Sequence, residues 1–87
     1  MAMKLTTVED HAIQARMALI VRANTFDHLF ASIRFDETEG PLLYVYAKNE
    51  QIAAEIEDTF SLQIALVASK IVGHLVELVV VMPKVLQ

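Results

Sequence analysis

Apolar residues recur at three- and four-residue intervals through residues 6–22, TTVEDHAIQARMALIVR, where Ile13, Met17 and Ile20 form a stripe with Ala12, Ala15 and Leu19 beside it. Thr6 followed three residues later by Glu9 is a capping-box pattern, in which each side chain takes the other's unpaired backbone amide, so a first helix is predicted here. Asn24 and Thr25 offer local side-chain bonds that compete with a helix. They are expected to end the first helix and to cap a short second one, FDHLFAS, with Phe26, Leu29, Phe30 and Ile33 on one face. Alternation at Ile33, Arg34 and Phe35 predicts a strand over residues 32–36, and the polar run DETEGP, closed by Gly40-Pro41, reads as a turn. The bulky run LLYVYA predicts a second strand, with Leu43, Val45 and Ala47 on one face and Leu42, Tyr44 and Tyr46 on the other. Asn49 is a favourable N-cap for a long helix whose stripe is Ile52, Ile56, Phe60, Ile64, Val67 and Ile71. That stripe stops at Gly73, a residue suited to the left-handed position that follows a helix. Residues 75–82 form a last predicted strand, ended by Pro83. The order α-α-β-β-α-β predicts an α+β fold, a three-stranded sheet packed by helices.

Length changes the picture little: 87 residues make one domain, 1–87, because a second would leave neither half enough chain for a core. Composition changes it more. An apolar fraction of 55% is rich for a thin core and points to a surface made for a partner, a second copy included. Val79-Val80-Val81 sharpens that expectation: it is apolar on both strand faces, so the strand is either central and covered or has a surplus face that meets something. Residues 60–82 are greasy enough to raise a membrane span, but Gln63, Lys70, His74 and Glu77 interrupt them, and a helix ending at Gly73 before a strand is the reading adopted. The N-terminus MAMKLTTVED turns acidic before any apolar stretch, so no secretory signal is expected. With no cysteine, thiol chemistry and cysteine–zinc sites are excluded and a cytoplasmic location is expected.

The net charge of −4 is concentrated in the middle of the chain, where residues 35–58 hold seven acidic side chains against Lys48 alone. Phosphate backbones require cations, so tight nucleic-acid binding is disfavoured, with Arg16, Arg22 and Arg34 the only basis for a weak patch. His11, His28 and His74 lie on different elements, which does not favour a metal site, and Glu50, Glu55, Glu57 and Asp58 read as the solvated face of a helix. The strand-to-helix corner Ala47-Lys48-Asn49-Glu50 contains no glycine, so it is no phosphate cradle. A KH-like layout invites comparison with RNA-binding domains, but those clamp the backbone with a GXXG loop, and Gly40 and Gly73 cannot supply one. Tyr44 and Tyr46 are explained by the β run itself. No catalytic group, cofactor or metal site is expected.

From Phe26 onward the segments FDHLF, IRFDETEGP, LLYVYAKNEQ, IAAEIEDTFSLQIALVASKIVG and HLVELVVV follow one another as in a known family. In order and spacing the chain resembles domain I of the bacterial replication initiator DnaA, where a Phe-x-x-Trp helix, a hairpin, a strand ending in Ala-Pro-Asn, a long helix, a Gly and a final strand succeed one another. Leu29 stands in place of the Trp, Lys48 in place of the Pro, and Gln51 in place of the usual aromatic. No AAA+ ATPase or helix-turn-helix accompanies it, so the chain is either an excised domain or a small stand-alone relative. The resemblance implies a non-catalytic docking module that contacts the replicative helicase, a regulator of initiation or another copy of itself. Carried over by position, it implies partner contacts at His28, Lys48, Asn49, Gln51 and Ala54, with Phe26 in the core. An acidic rim from Asp36 to Asp58 would select basic partners. The C-terminal domain of the clamp-loader tau subunit has a similar small layout and remains a rival, as does a weak single-strand-binding KH-like domain.

Overall fold

The computed structural model describes residues 2–84 and contains three helices and a four-stranded mixed sheet. The elements are β1 (Ala2–Lys4), α1 (Thr7–Ile20), α2 (Ala23–Leu29), β2 (Arg34–Glu39), β3 (Leu42–Ala47), α3 (Glu50–Val72) and β4 (Leu78–Pro83). Strands lie in the order β1-β2-β3-β4, antiparallel except for the parallel pair β3 and β4, which α3 joins as a crossover. The helices cover one face of the sheet, where Phe35, Leu43, Val45, Ala47 and Val79 are buried against Ile13, Met17, Leu29, Ile56 and Ile64.

Three sequence expectations are met at atomic detail. The capping box closes α1, with the Glu9 amide donating to Thr6 Oγ1 at 3.1 Å and the Thr6 amide donating to Glu9 Oε1 at 2.9 Å. Asn49 caps α3 by accepting the Ile52 amide at 2.9 Å, and Gly73 ends it at φ 82°, a backbone state that a Cβ disfavours. β3 spans the LLYVYA run with the expected alternation, its Leu43, Val45 and Ala47 buried and its other face half-buried.

Other expectations are corrected. The sheet has four strands rather than three, because residues 2–4 add β1 along the outer edge of β2, with Lys4 opposite Glu37. Three residues carry too little periodicity to signal a strand. The run DETEGP is not a turn: β2 continues to Glu39 and only Gly40 and Pro41 turn the chain. The polar letters hide a strand whose register shifts by a bulge between Phe35 and Glu37, which lets both Phe35 and Thr38 face the core. Asp36, the extra residue, is also buried.

The helix break falls at Val21-Arg22 rather than at Ala23-Asn24-Thr25, which instead form the first turn of α2 with no side-chain cap. Val21, not Ile20, follows Met17 into the core, leaving Leu19 and Ile20 outside. Phe26 and Phe60 are half-buried rather than fully interior. β4 lies at the end of the sheet, so it is not a covered central strand: Val79 packs inward while Val80 and Val81 are half-buried. Its free edge is blunted where the Val81 amide donates to Glu57 Oε2 at 2.9 Å.

Candidate docking surface

Aromatic packing joins α2 to α3. Phe26 and Phe30 stack at 5.1 Å between centroids, and Phe30 meets Phe60 edge-on at 5.8 Å. These contacts hold the seven-residue α2 on α3, which so short a helix could not achieve by its own hydrogen bonds. His28, on the last turn of α2, is left exposed, as are Lys48 in the connection and Gln51 and Ala54 on the first turns of α3. Asn49 differs from them. It is half-buried, and its side-chain oxygen already accepts the Ile52 amide, so its first job is to cap the helix and its amide nitrogen is the group left for a partner to accept from. The N-terminus of α3 is thus capped internally and followed at once by Glu50, which leaves it poorly suited to an anion.

The acidic rim is smaller than its sequence suggests. Asp36 is buried between Lys4 Nζ at 3.0 Å and Arg34 at 3.3 Å, and Glu37 lies 3.5 Å from Lys4. Glu39 accepts the Tyr44 hydroxyl at 3.3 Å, and Glu57 holds the edge of β4. Glu50, Glu55 and Asp58 remain exposed on α3, with no ion pair among the described residues. A hairpin rich in acids is therefore mostly engaged in its own fold, through the distant Lys4 and through Arg34 and Tyr44 of the hairpin itself.

Those partners shift two titrations. The hydrogen bond to Asp36, chiefly, holds the Lys4 ammonium above its ordinary 10.5, reinforced by the charges of Asp36 and Glu37. Partial desolvation, then the hydrogen bond to Glu39, raises the Tyr44 phenol above its ordinary 10.0. Both groups belong to the uncovered side of the sheet, where Arg34 also lies 5.6 Å from the centroid of Tyr46.

A second surface was not legible as a site in the sequence. Between α1 and α3 runs a groove of about 360 Å³, lined by Leu19, Ile20, Leu66 and Val67 and bordered by Arg16 and Lys70. Leu66, 60% exposed, forms its α3 wall; Leu62, 69% exposed, lies one turn earlier on α3, next to Leu78 and Val79 of β4. Their signal was present as a second apolar spacing on the long helix, offset from the core stripe, but periodicity does not state which stripe lies inside.

Among the described residues no three His, Asp or Glu side chains gather as a metal-binding group, and every buried side-chain nitrogen or oxygen has a hydrogen-bond partner. His11, His28 and His74 are all exposed. No helix among the described residues is long and apolar enough to cross a membrane; the greasy stretch 60–82 divides between α3 and β4. Comparison of the chain with protein-family models and with curated proteins returns no match.

Proposed function

We propose that this chain is a non-catalytic protein-docking module of the DnaA domain I kind, acting in bacterial replication initiation or its control. The observation that carries the reading is that α2, packed on α3 through Phe26, Phe30 and Phe60, presents His28 outward, while Lys48, Gln51 and Ala54 are exposed at the start of α3, all four without side-chain hydrogen bonds or ion pairs among the described residues. A rigid corner of this kind suits recognition because little side-chain packing must be reorganised when a partner arrives. The DnaA resemblance supplies the partner class, a replicative helicase or a regulator of initiation. Glu50, exposed at the start of α3, favours a basic surface on that partner.

The test is direct binding of the immobilised chain to a purified bacterial replicative helicase and to known initiation regulators. Binding to one of them that Gln51→Arg or His28→Glu weakens about tenfold supports the assignment, whereas absence of binding at about 100 µM, a Kd beyond ordinary docking interfaces, overturns it.

A second reading, weak single-stranded nucleic-acid binding, is favoured by one feature: Tyr44 and Tyr46 stand on the uncovered sheet face with Arg34 beside Tyr46. Glu37 and Glu39 share that face and oppose it. Titration with single-stranded oligonucleotides at rising salt separates the readings, since phosphate-driven binding weakens steeply with salt.

A further inference from the structure

We propose that the outer faces of α1 and α3 join two copies of this chain, with α3 antiparallel to its counterpart about a two-fold axis passing between Leu62 and Leu66. The proposal is independent of the α2 corner, which could bind nothing and leave this contact intact. It starts from the spacing of the exposed residues on α3. Glu55, Asp58, Leu62, Leu66 and Lys70 succeed one another at three- and four-residue steps and so share one face. Acids occupy the N-terminal part of that stripe, leucines its centre and a lysine its C-terminal part. None of its charged members makes an ion pair among the described residues.

The positions are symmetric. Leu62 and Leu66 lie equally far on either side of position 64, and so do Asp58 and Lys70, each about 9 Å along the helix at 1.5 Å per residue. Antiparallel pairing about that point sets Leu62 against Leu66 of the other copy and Asp58 against its Lys70, twice over. A parallel pairing would set acid against acid. Residues from α1 extend the same logic: Leu19 and Ile20, 83% and 54% exposed, widen the apolar centre, and Arg16 borders the groove together with Lys70. Glu55 reinforces the acidic end.

A two-fold contact requires a surface complementary to itself, and this stripe is complementary to its own reverse. A foreign helix places no such symmetric demand on the charges, and an anionic membrane would be repelled by the acidic end. Size is adequate as well. A standard interface takes about 800 Å² from each partner, about one-seventh of the 5390 Å² surface of the chain. The α3 helix, 23 residues and about 34 Å long, with α1 beside it, offers an area of that order.

Sedimentation equilibrium of the intact chain between about 1 µM and 1 mM, the weak end of specific association, is the primary experiment. The expected result is a monomer–dimer equilibrium that Leu66→Glu abolishes and Lys70→Glu weakens about tenfold, since each change acts twice across the axis. The double swap Asp58→Lys with Lys70→Glu restores opposite signs and recovers the dimer, while His28→Glu leaves it unchanged. All these positions are exposed, and circular dichroism checks that each variant is folded. The chain has no cysteine, so mixing Leu62→Cys and Leu66→Cys chains under oxidation reads the register directly: a disulfide-linked heterodimer is expected in preference to either homodimer. A chain that stays monomeric to about 1 mM overturns the proposal. So does a dimer indifferent to Leu66→Glu and Lys70→Glu, or a double swap that stays folded and fails to recover the dimer.

Discussion

Two apolar stripes run along α3, and they meet different fates. The inner one, Ile52, Ile56, Ile64 and Ala68, is buried against the sheet and α1. The outer one, centred on Leu62 and Leu66, is left in water although its side chains are as large. Hydrophobicity does not separate them; what separates them is which side the sheet and α1 occupy. Where the inner stripe narrows to Ala53, Ala65 and Ala68, neighbouring elements approach α3 closely, so small residues there belong to the core as fully as the isoleucines do. Among the described residues no element covers the outer stripe, which only borders α1 across an open groove, and its retained leucines need a reason beyond folding.

That contrast can be broken most sharply at Ile56, which is fully buried. Ile56→Ala is expected to lower folding stability by about 2–5 kcal/mol through lost burial and the cavity it leaves; a loss below about 0.5 kcal/mol in chemical denaturation, the range of surface changes, would mean that the inner stripe is misassigned. Phe60 stands between the two stripes in burial. Phe60→Ala should cost about 2 kcal/mol, less than the 3–5 typical of a buried aromatic, and should loosen α2 because Phe30 loses its edge contact. Hydrogen exchange of the α2 amides would register that loosening, and unchanged protection would argue against the clamp.

Smaller still is the cap. Asn49→Ala should cost about 1 kcal/mol, and Asn49→Asp, which preserves an accepting oxygen for the Ile52 amide, should restore most of it. On the outer stripe, Leu66→Gln in dilute solution should change monomer stability by less than about 0.5 kcal/mol; a loss comparable to that of Ile56→Ala would show that Leu66 is buried in the monomer after all.

A last prediction concerns pH and lies off both stripes. Lys4 and Tyr44 have folded-state values raised above 10.5 and 10.0, so their contribution is complete below about pH 10 and is lost as pH rises through the folded values. Thermal unfolding midpoints should be level from neutral pH to about 9 and fall above it. Lys4→Met should reduce the fall, and Leu66→Gln should leave its shape unchanged. A midpoint that rises with alkaline pH would contradict the assigned partners.

Much of the fold is local and was therefore readable from residues alone. Thr6 with Glu9, Asn49 and Gly73 fix the helix ends through groups within four residues of one another, and LLYVYA states its own two faces by alternation. The corner residues His28, Lys48, Gln51 and Ala54 were reached through the resemblance, and their exposure is what the structure adds. The α1–α3 groove was not reached, because Leu19 and Ile20 fit a helical stripe as well as Met17 and Val21 do.

What the sequence by itself determined is the set of helices, the central strand and the concentration of charge, each governed by contacts along a few residues of chain. Tertiary structure alone decided the rest. A distant lysine, Lys4, holds Asp36, a terminal triplet pairs with Glu37 and its neighbours to make a fourth strand, and the sheet's position selects which stripe of α3 is interior. These outcomes depend on contacts across roughly thirty residues of sequence, as from Lys4 to Asp36 (|i−j| = 32), and no local pattern of side chains encodes which distant surface will arrive.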